Sequence, residues 1–182
     1  MSTGFASMAA SLDGYIASAA GEQDWLNDSM VHGEDYGFFA MMQRTGAYVM
    51  GANTYRETAG ASGGTVGATP TYVVTHAGNL ESKTSNVQCY SGDLRSLVTQ
   101  LREETDKDVF VFGGADLVTQ FIDLDLLDEL TVAIVPVLLG GGVHFFGRLG
   151  EWKRLRLAEC KQFEKSGIVL LTYGLTASKR AS

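Results

Sequence analysis

Four short segments carry residue types suited to holding a phosphate or moving a proton. In Val109-Phe-Val-Phe-Gly113-Gly114-Ala115 an apolar run ends in two glycines and passes directly into the amphipathic series Leu117, Val118, Phe121, Ile122. A strand that ends in this way offers bare backbone N–H groups and the positive end of a helix dipole, which together favour a phosphate or pyrophosphate. The pattern is not the three-glycine dinucleotide motif, and a tight strand-to-helix turn explains these residues equally well. Tyr48-Val-Met-Gly51-Ala-Asn53-Thr54-Tyr55 repeats the theme, with a hydroxyl placed to cap a helix or to meet an anion. Two glycine-terminated strands in one parallel sheet lie at its carboxyl edge, where ligands of open α/β sheets bind. The pair therefore says more than either alone.

Two carboxylates are candidates for proton handling. Asp35 stands four residues before Phe39 in a segment of helical spacing (Tyr36, Phe39, Ala40), so the two are expected on one helix face. A carboxylate beside aromatic rings is open to desolvation and to a proton-transfer role. A first-turn acid favoured by the helix dipole is the plainer reading. Asp13 lies in Ala10-Ser11-Leu12-Asp13-Gly14-Tyr15-Ile16, which reads either as a turn or as a mobile loop closing over the same sheet edge. His32, His76 and His144 are far apart and show no ligand spacing, so no metal site is expected. No Gly-x-Ser-x-Gly elbow occurs. Cys89 and Cys160 have no neighbouring base and read as inert core thiols.

The elements that must position these residues alternate along the chain. Phe5–Ala10, Ala47–Met50, Thr71–Thr75, Val87–Tyr90 and Val109–Phe112 are short apolar runs between turn-formers, the pattern of buried strands. Leu94, Leu97, Val98 and Leu101 mark a helix with Asp93 at its N-cap. Leu130–Val135, Leu155–Phe163 and Ile168–Tyr173 follow as strands, the last two joined by a turn at Glu164–Gly167. The expected fold is α/β: a mostly parallel central sheet covered on both faces, finishing in antiparallel strands. Ala59–Ala68, rich in Gly and Ser, reads as a flexible surface loop, and Thr176–Ser182 as a frayed tail.

With 182 residues, 45% hydrophobic and 19% charged, the chain is expected to form one domain over 1–182, with its core at about 4–174. Net charge is −7, and residues 1–82 hold only Arg44 and Arg56 against eight acids, so no basic stripe for nucleic acid exists. No apolar run is long enough to span a membrane. The start Met1–Phe5 lacks the features of a secretory signal, and a reducing cytoplasm is the expected compartment.

In combination these segments resemble the dihydrofolate reductase superfamily, specifically its bacterial branch similar to the reductase domain of riboflavin biosynthesis. Ser11–Ala17 is similar to the riboflavin-type loop after the first strand, and Pro136-Val-Leu-Leu-Gly-Gly-Gly142 is similar to its signature. Val49–Tyr55 resembles the family's Met-Gly-x-x-Thr-aromatic element, and Gly113-Gly114 its glycine pair. Gly142-Val-His144-Phe145 followed by Trp152 is similar to a dihydrofolate reductase pattern. Asp35, Phe39 and Met50 keep the spacings, four and fifteen residues, of the family's catalytic acid.

The resemblance implies a three-layer α/β/α fold and an NADPH-dependent reductase of a small heterocycle, most like 5-amino-6-(5-phosphoribosylamino)uracil reductase. It implies NADPH held by Gly51, Asn53, Thr54, Tyr55, Thr75, His76, Gly113, Gly114, Ala115 and Leu117. It implies a substrate lined by Ala10, Leu12, Asp35, Phe39 and Val135, with Asp35 or Asp13 handling the proton. A homodimer is expected from the apolar C-terminal strands. Ala59–Pro70 contains no basic residue, unlike dihydrofolate reductases, which argues against folate itself. A dihydrofolate reductase-like or orphan NADPH reductase and a nucleotide-binding module without turnover are the alternatives.

Overall fold

The structure is a computed structural model that describes residues 2–62, 67–76 and 84–175, side chains at 59–62 excepted. In chain order the elements are β1 (Gly4–Ser11), β2 (Tyr15–Ala17), α1 (Asp24–Ser29), α2 (Phe38–Arg44), β3 (Thr45–Gly51), α3 (Ala52–Ser62), β4 (Thr71–Val74) and β5 (Val87–Tyr90). They continue with α4 (Leu94–Glu104), β6 (Asp108–Gly113), α5 (Ala115–Asp123), β7 (Glu129–Val135), β8 (Val143–His144), β9 (Leu155–Gln162) and β10 (Val169–Leu175).

Eight strands form one sheet in the order β5-β4-β3-β6-β1-β7-β10-β9. The six from β5 to β7 run parallel, and β10 and β9 close the sheet antiparallel. Alternation along each strand feeds two cores. On one face Ala6, Ala10, Val49, Val109, Val111, Leu130 and Val132 pack against Leu97, Leu101, Val118 and Phe121 of α4 and α5. Each such large side chain contributes roughly 1.5–3 kcal/mol by leaving water. On the other face Phe5, Tyr48, Met50, Val73 and Phe110 pack with Tyr55 of α3 and Met41 of α2. The result is a three-layer α/β/α packing.

α4 starts where its sequence directs: the Asp93 carboxylate accepts the Ser96 N–H at 2.9 Å. The loop after β1 is not a lone turn, because β2 pairs antiparallel with β8 and Tyr15 stacks on His144, ring centroids 4.8 Å apart.

Three expectations are corrected. Asp35 lies outside the first helix of its segment: Gly37 takes a left-handed φ of 76°, and α2 begins only at Phe38. Cys89 and Cys160 are exposed rather than core, because they sit on β5 and β9, the two outermost strands. The Gly/Ser-rich stretch begins as helix, since α3 runs to Ser62; 63–66 and the tail 176–182 lie outside the described residues.

Candidate functional site

β3 and β6 are neighbours in the sheet, with Met50 opposite Gly113, so the two glycine-ended strands deliver their ends side by side. A Cβ on Gly51 would lie 3.8 Å from the Gly113 carbonyl and the Gly114 nitrogen, and one on Gly114 would lie 3.3 Å from Thr54 Oγ1. The segments 51–54 and 113–114 thus meet at contact distance, and none of the three glycines covers the junction with a side chain. Gly113 takes φ +128°, which only glycine adopts freely, and its peptide to Gly114 is cis. Gly114 is the N-cap of α5 and makes no side-chain cap bond. The first intrahelical bond of α5 runs from the Val118 N–H to the Gly114 carbonyl, so the N–H groups of Ala115 and Leu117 precede the ladder. α3 begins at the same sheet edge directly after Gly51.

Two helix starts therefore converge on one patch where the only side chain shown close by is that of Thr54, and that donor set suits a pyrophosphate. By contrast, the start of α4 already holds its own carboxylate, Asp93.

The structure sorts the other sequence candidates. Asn53 is exposed, and its amide oxygen accepts from Arg56 at 2.8 Å. Tyr55 and Leu117 turn their side chains into the two cores, leaving only backbone at the site. Thr75 is buried, and its N–H donates to the Tyr90 carbonyl, whereas His76 stands exposed at the end of β4. Ala10 and Val135 are buried within the sheet and present no side-chain surface, while Leu12 is exposed. Asp35 and Phe39 are exposed too. The Asp35 carboxylate accepts the Gly37 N–H at 3.2 Å.

Asp35 is nonetheless held between two anchors. Glu34 accepts the Lys165 N–H and the Tyr36 hydroxyl, and the Tyr36 ring packs on Phe163 at 4.7 Å. The segment before α2 thereby docks on the β9–β10 turn.

Asp13 has a different setting. Its carboxylate accepts from the Ser11 hydroxyl at 2.6 Å and from the N–H groups of Leu139 at 3.1 Å and Gly140 at 2.7 Å. The Ser11 hydroxyl, followed by the two backbone N–H groups, holds this carboxyl below its ordinary value against the opposing effect of burial. It stays ionised across neutral pH.

Of the two arginines in the first 82 residues, only Arg56 is near this edge. Arg44 stands at the opposite end of the strands, paired with Glu129 and Asp108 and lying 3.7 Å above the Phe5 ring. Among the described residues no cluster of three or more potential metal ligands forms, and no helix is long and apolar enough to cross a membrane.

A family model for the RibD C-terminal domain matches residues 3–170. The chain belongs to the RibD C-terminal domain family. Among its relatives, the uncharacterized YwjB of Bacillus subtilis (strain 168) is 30% identical over 169 residues, covering 86% of this chain and 89% of that protein. A candidate riboflavin biosynthesis protein of Shewanella sp. PV-4 superposes with a TM-score of 0.85 at 28% identity, over 96% of this chain and 99% of that one. Dihydrofolate reductase of Enterococcus faecalis, solved with NADP(H), superposes with a TM-score of 0.67 at 13% identity, over 96% of both chains, which shows a shared fold.

What the sequence did not disclose is the partner set of Asp13 and Asp35. Glu34 and Tyr36 carry no motif that marks them as anchors, and Leu139 and Gly140, which meet Asp13, and Lys165 and Phe163, which meet Glu34 and Tyr36, lie far along the chain.

Proposed function

We propose that this RibD C-terminal domain protein is an NADPH-dependent reductase of a small heterocycle, of the class of the riboflavin-precursor pyrimidines. The junction of Gly51, Gly113 and Gly114 with the starts of α3 and α5 carries the reading: it is a bare-backbone site for a pyrophosphate at the edge where the fold binds ligands. Thr54 and the N–H groups of Ala115 and Leu117 would hold the phosphates. Arg56 and His76 are the nearest candidates for the ribose phosphate. When bound, NADPH supplies a hydride, so that a C=N carbon is reduced while its nitrogen takes a proton. In this reading Asp35 anchors the ring and favours protonation of that nitrogen, with its segment kept in place by Glu34 and Tyr36. Exclusion of water falls to the loop after β1 and the 136–142 segment.

Thermal melts with NADPH and with NADH test the proposal. At about 100 times its Kd a ligand adds roughly 2.7 kcal/mol of stability, or about 5–11 °C for a domain of this size. NADPH is expected to give the larger shift; equal shifts, or none, reject it.

The exposure of Asp35 favours a second reading, a nucleotide-binding module without turnover. NADPH oxidation over a panel of pyrimidines and pterins separates the two, because the module binds and never oxidises.

A further inference from the structure

The motif Ser11–Ala17 and the motif Pro136–Gly142 are 125 residues or so apart in sequence, yet the structure fastens them to each other at several points. The Leu12 N–H donates to the Val137 carbonyl, and the Phe145 N–H to the Gly14 carbonyl, both at 2.9 Å. A Cβ on Gly142 would lie 2.0 Å from the Ala17 carbonyl, so the two backbones touch where any other residue would force them apart. At the centre is Asp13. One oxygen takes the Ser11 hydroxyl and the Leu139 N–H, the other takes the Gly140 N–H, and the Ser11 hydroxyl oxygen in turn accepts the Tyr15 N–H. A single carboxylate therefore ties β1, β2 and the glycine-rich segment together.

The position of this clamp gives it a consequence. β1 and β7, whose ends it joins, are the next strands after β6 in the sheet. β1 passes the Gly113 junction at Met8, whose Sδ lies 4.0 Å from a Cβ built on Gly113, and the clamp starts at Ser11, three residues further along the same strand. An ionised carboxylate whose oxygens already accept three N–H and O–H donors is poorly suited to give or take a proton. It is well suited to hold two loops in one arrangement, because charge-assisted hydrogen bonds are stronger and shorter than neutral ones.

We propose that Asp13 is a positioning residue whose carboxylate fixes the 136–142 segment against the loop after β1 and so shapes the wall of the ligand cleft next to Gly113. The claim rests on the reading of that edge as the NADPH site. Its readouts are chosen to stand apart from turnover.

The experiment follows amide hydrogen exchange and NADPH affinity in wild type, Asp13→Asn and Asp13→Ala, at a temperature well below melting. In Asp13→Ala the amides of Leu139 and Gly140 should exchange at least about tenfold faster, and the NADPH Kd should rise about tenfold. Asp13→Asn should fall between, since its amide oxygen still accepts from one side while its NH2 group opposes the Gly140 N–H. Graded rescue of affinity by the asparagine is not expected of a residue that only supports the fold. Unchanged exchange at Leu139 and Gly140 would overturn the clamp. Faster exchange with an unchanged Kd would overturn the positioning role, and an unchanged Kd with a large drop in turnover would return Asp13 to proton transfer. Should Asp13→Ala not fold, the same outcomes are read from the isosteric Asp13→Asn. If wild type binds no NADPH, the functional reading and the positioning claim both fall, while the exchange data still decide the clamp.

Discussion

Gly114→Val separates a ligand cradle from a mere turn. Gly114 has φ −74° and ψ −167°, extended backbone that any residue adopts, so a side chain there brings no torsional strain. Among the described residues, the only heavy atom beyond the local backbone within 4 Å of an added Cβ is Thr54 Oγ1 at 3.3 Å, which has to yield by a few tenths of an ångström. The valine methyls extend from the partly exposed start of α5, and the cost to the fold is about 1 kcal/mol, the low end of overpacking. The cost to the ligand is far larger. A hydrogen bond from an N–H to a charged group contributes about 1.5–3 kcal/mol. Displacing a pyrophosphate from two of them loses about 3–6 kcal/mol, or roughly 10²–10⁴ in Kd.

Gly113→Ala is the contrasting control. Its Cβ has room, with Met8 Sδ at 4.0 Å as the nearest atom, but φ +128° is unfavourable for alanine. The fold should lose about 1–3 kcal/mol, and melting should fall accordingly. NADPH fluorescence titration beside thermal melts reads both variants. A folded Gly114→Val protein with an NADPH Kd within threefold of wild type would refute the cradle.

Asp35→Asn should keep the fold, because the amide oxygen still accepts the Gly37 N–H, and should keep NADPH affinity. Turnover on an accepted heterocycle should fall by about 10²–10⁴, most of all toward neutral and higher pH. A pH–rate profile matching wild type would release Asp35 from proton handling. The homodimer is expected to form through β9, the last strand of the sheet, exposed over most of its length and with Leu157 half-exposed. Light scattering should give twice the chain mass, and Leu157→Lys should halve it; a wild-type monomer at all concentrations ends that proposal.

Local pattern was sufficient for most of the frame. Alternation and apolar runs located β1, β3–β7 and the C-terminal pair within a residue or two, because buried strands must be apolar whatever their order in the sheet. Leu94–Leu101 and Leu117–Ile122 announced α4 and α5 for the same reason, and Asp93 capped α4 as its type and place require. The shared edge of the two glycine-ended strands was legible as well: strands that end in glycine at a helix start expose backbone, and parallel strands put such ends at one edge.

Pairing between distant segments decided the rest. Spacing put Asp35 on a helix, but Glu34 and Tyr36 grip the β9–β10 turn, and the chain passes through a left-handed Gly37 before α2 can begin. Asp13 looked like a turn residue or an acid because its nearest neighbours say no more than that. Its partners Leu139 and Gly140 lie 126 and 127 positions away. Cys89 and Cys160 sit in strand-like runs, and only the strand order shows that both strands are edges. Periodicity records which side of an element meets the core. Which other segment satisfies a given carboxylate, or covers a given strand, depends on contacts made only when the whole sheet has assembled.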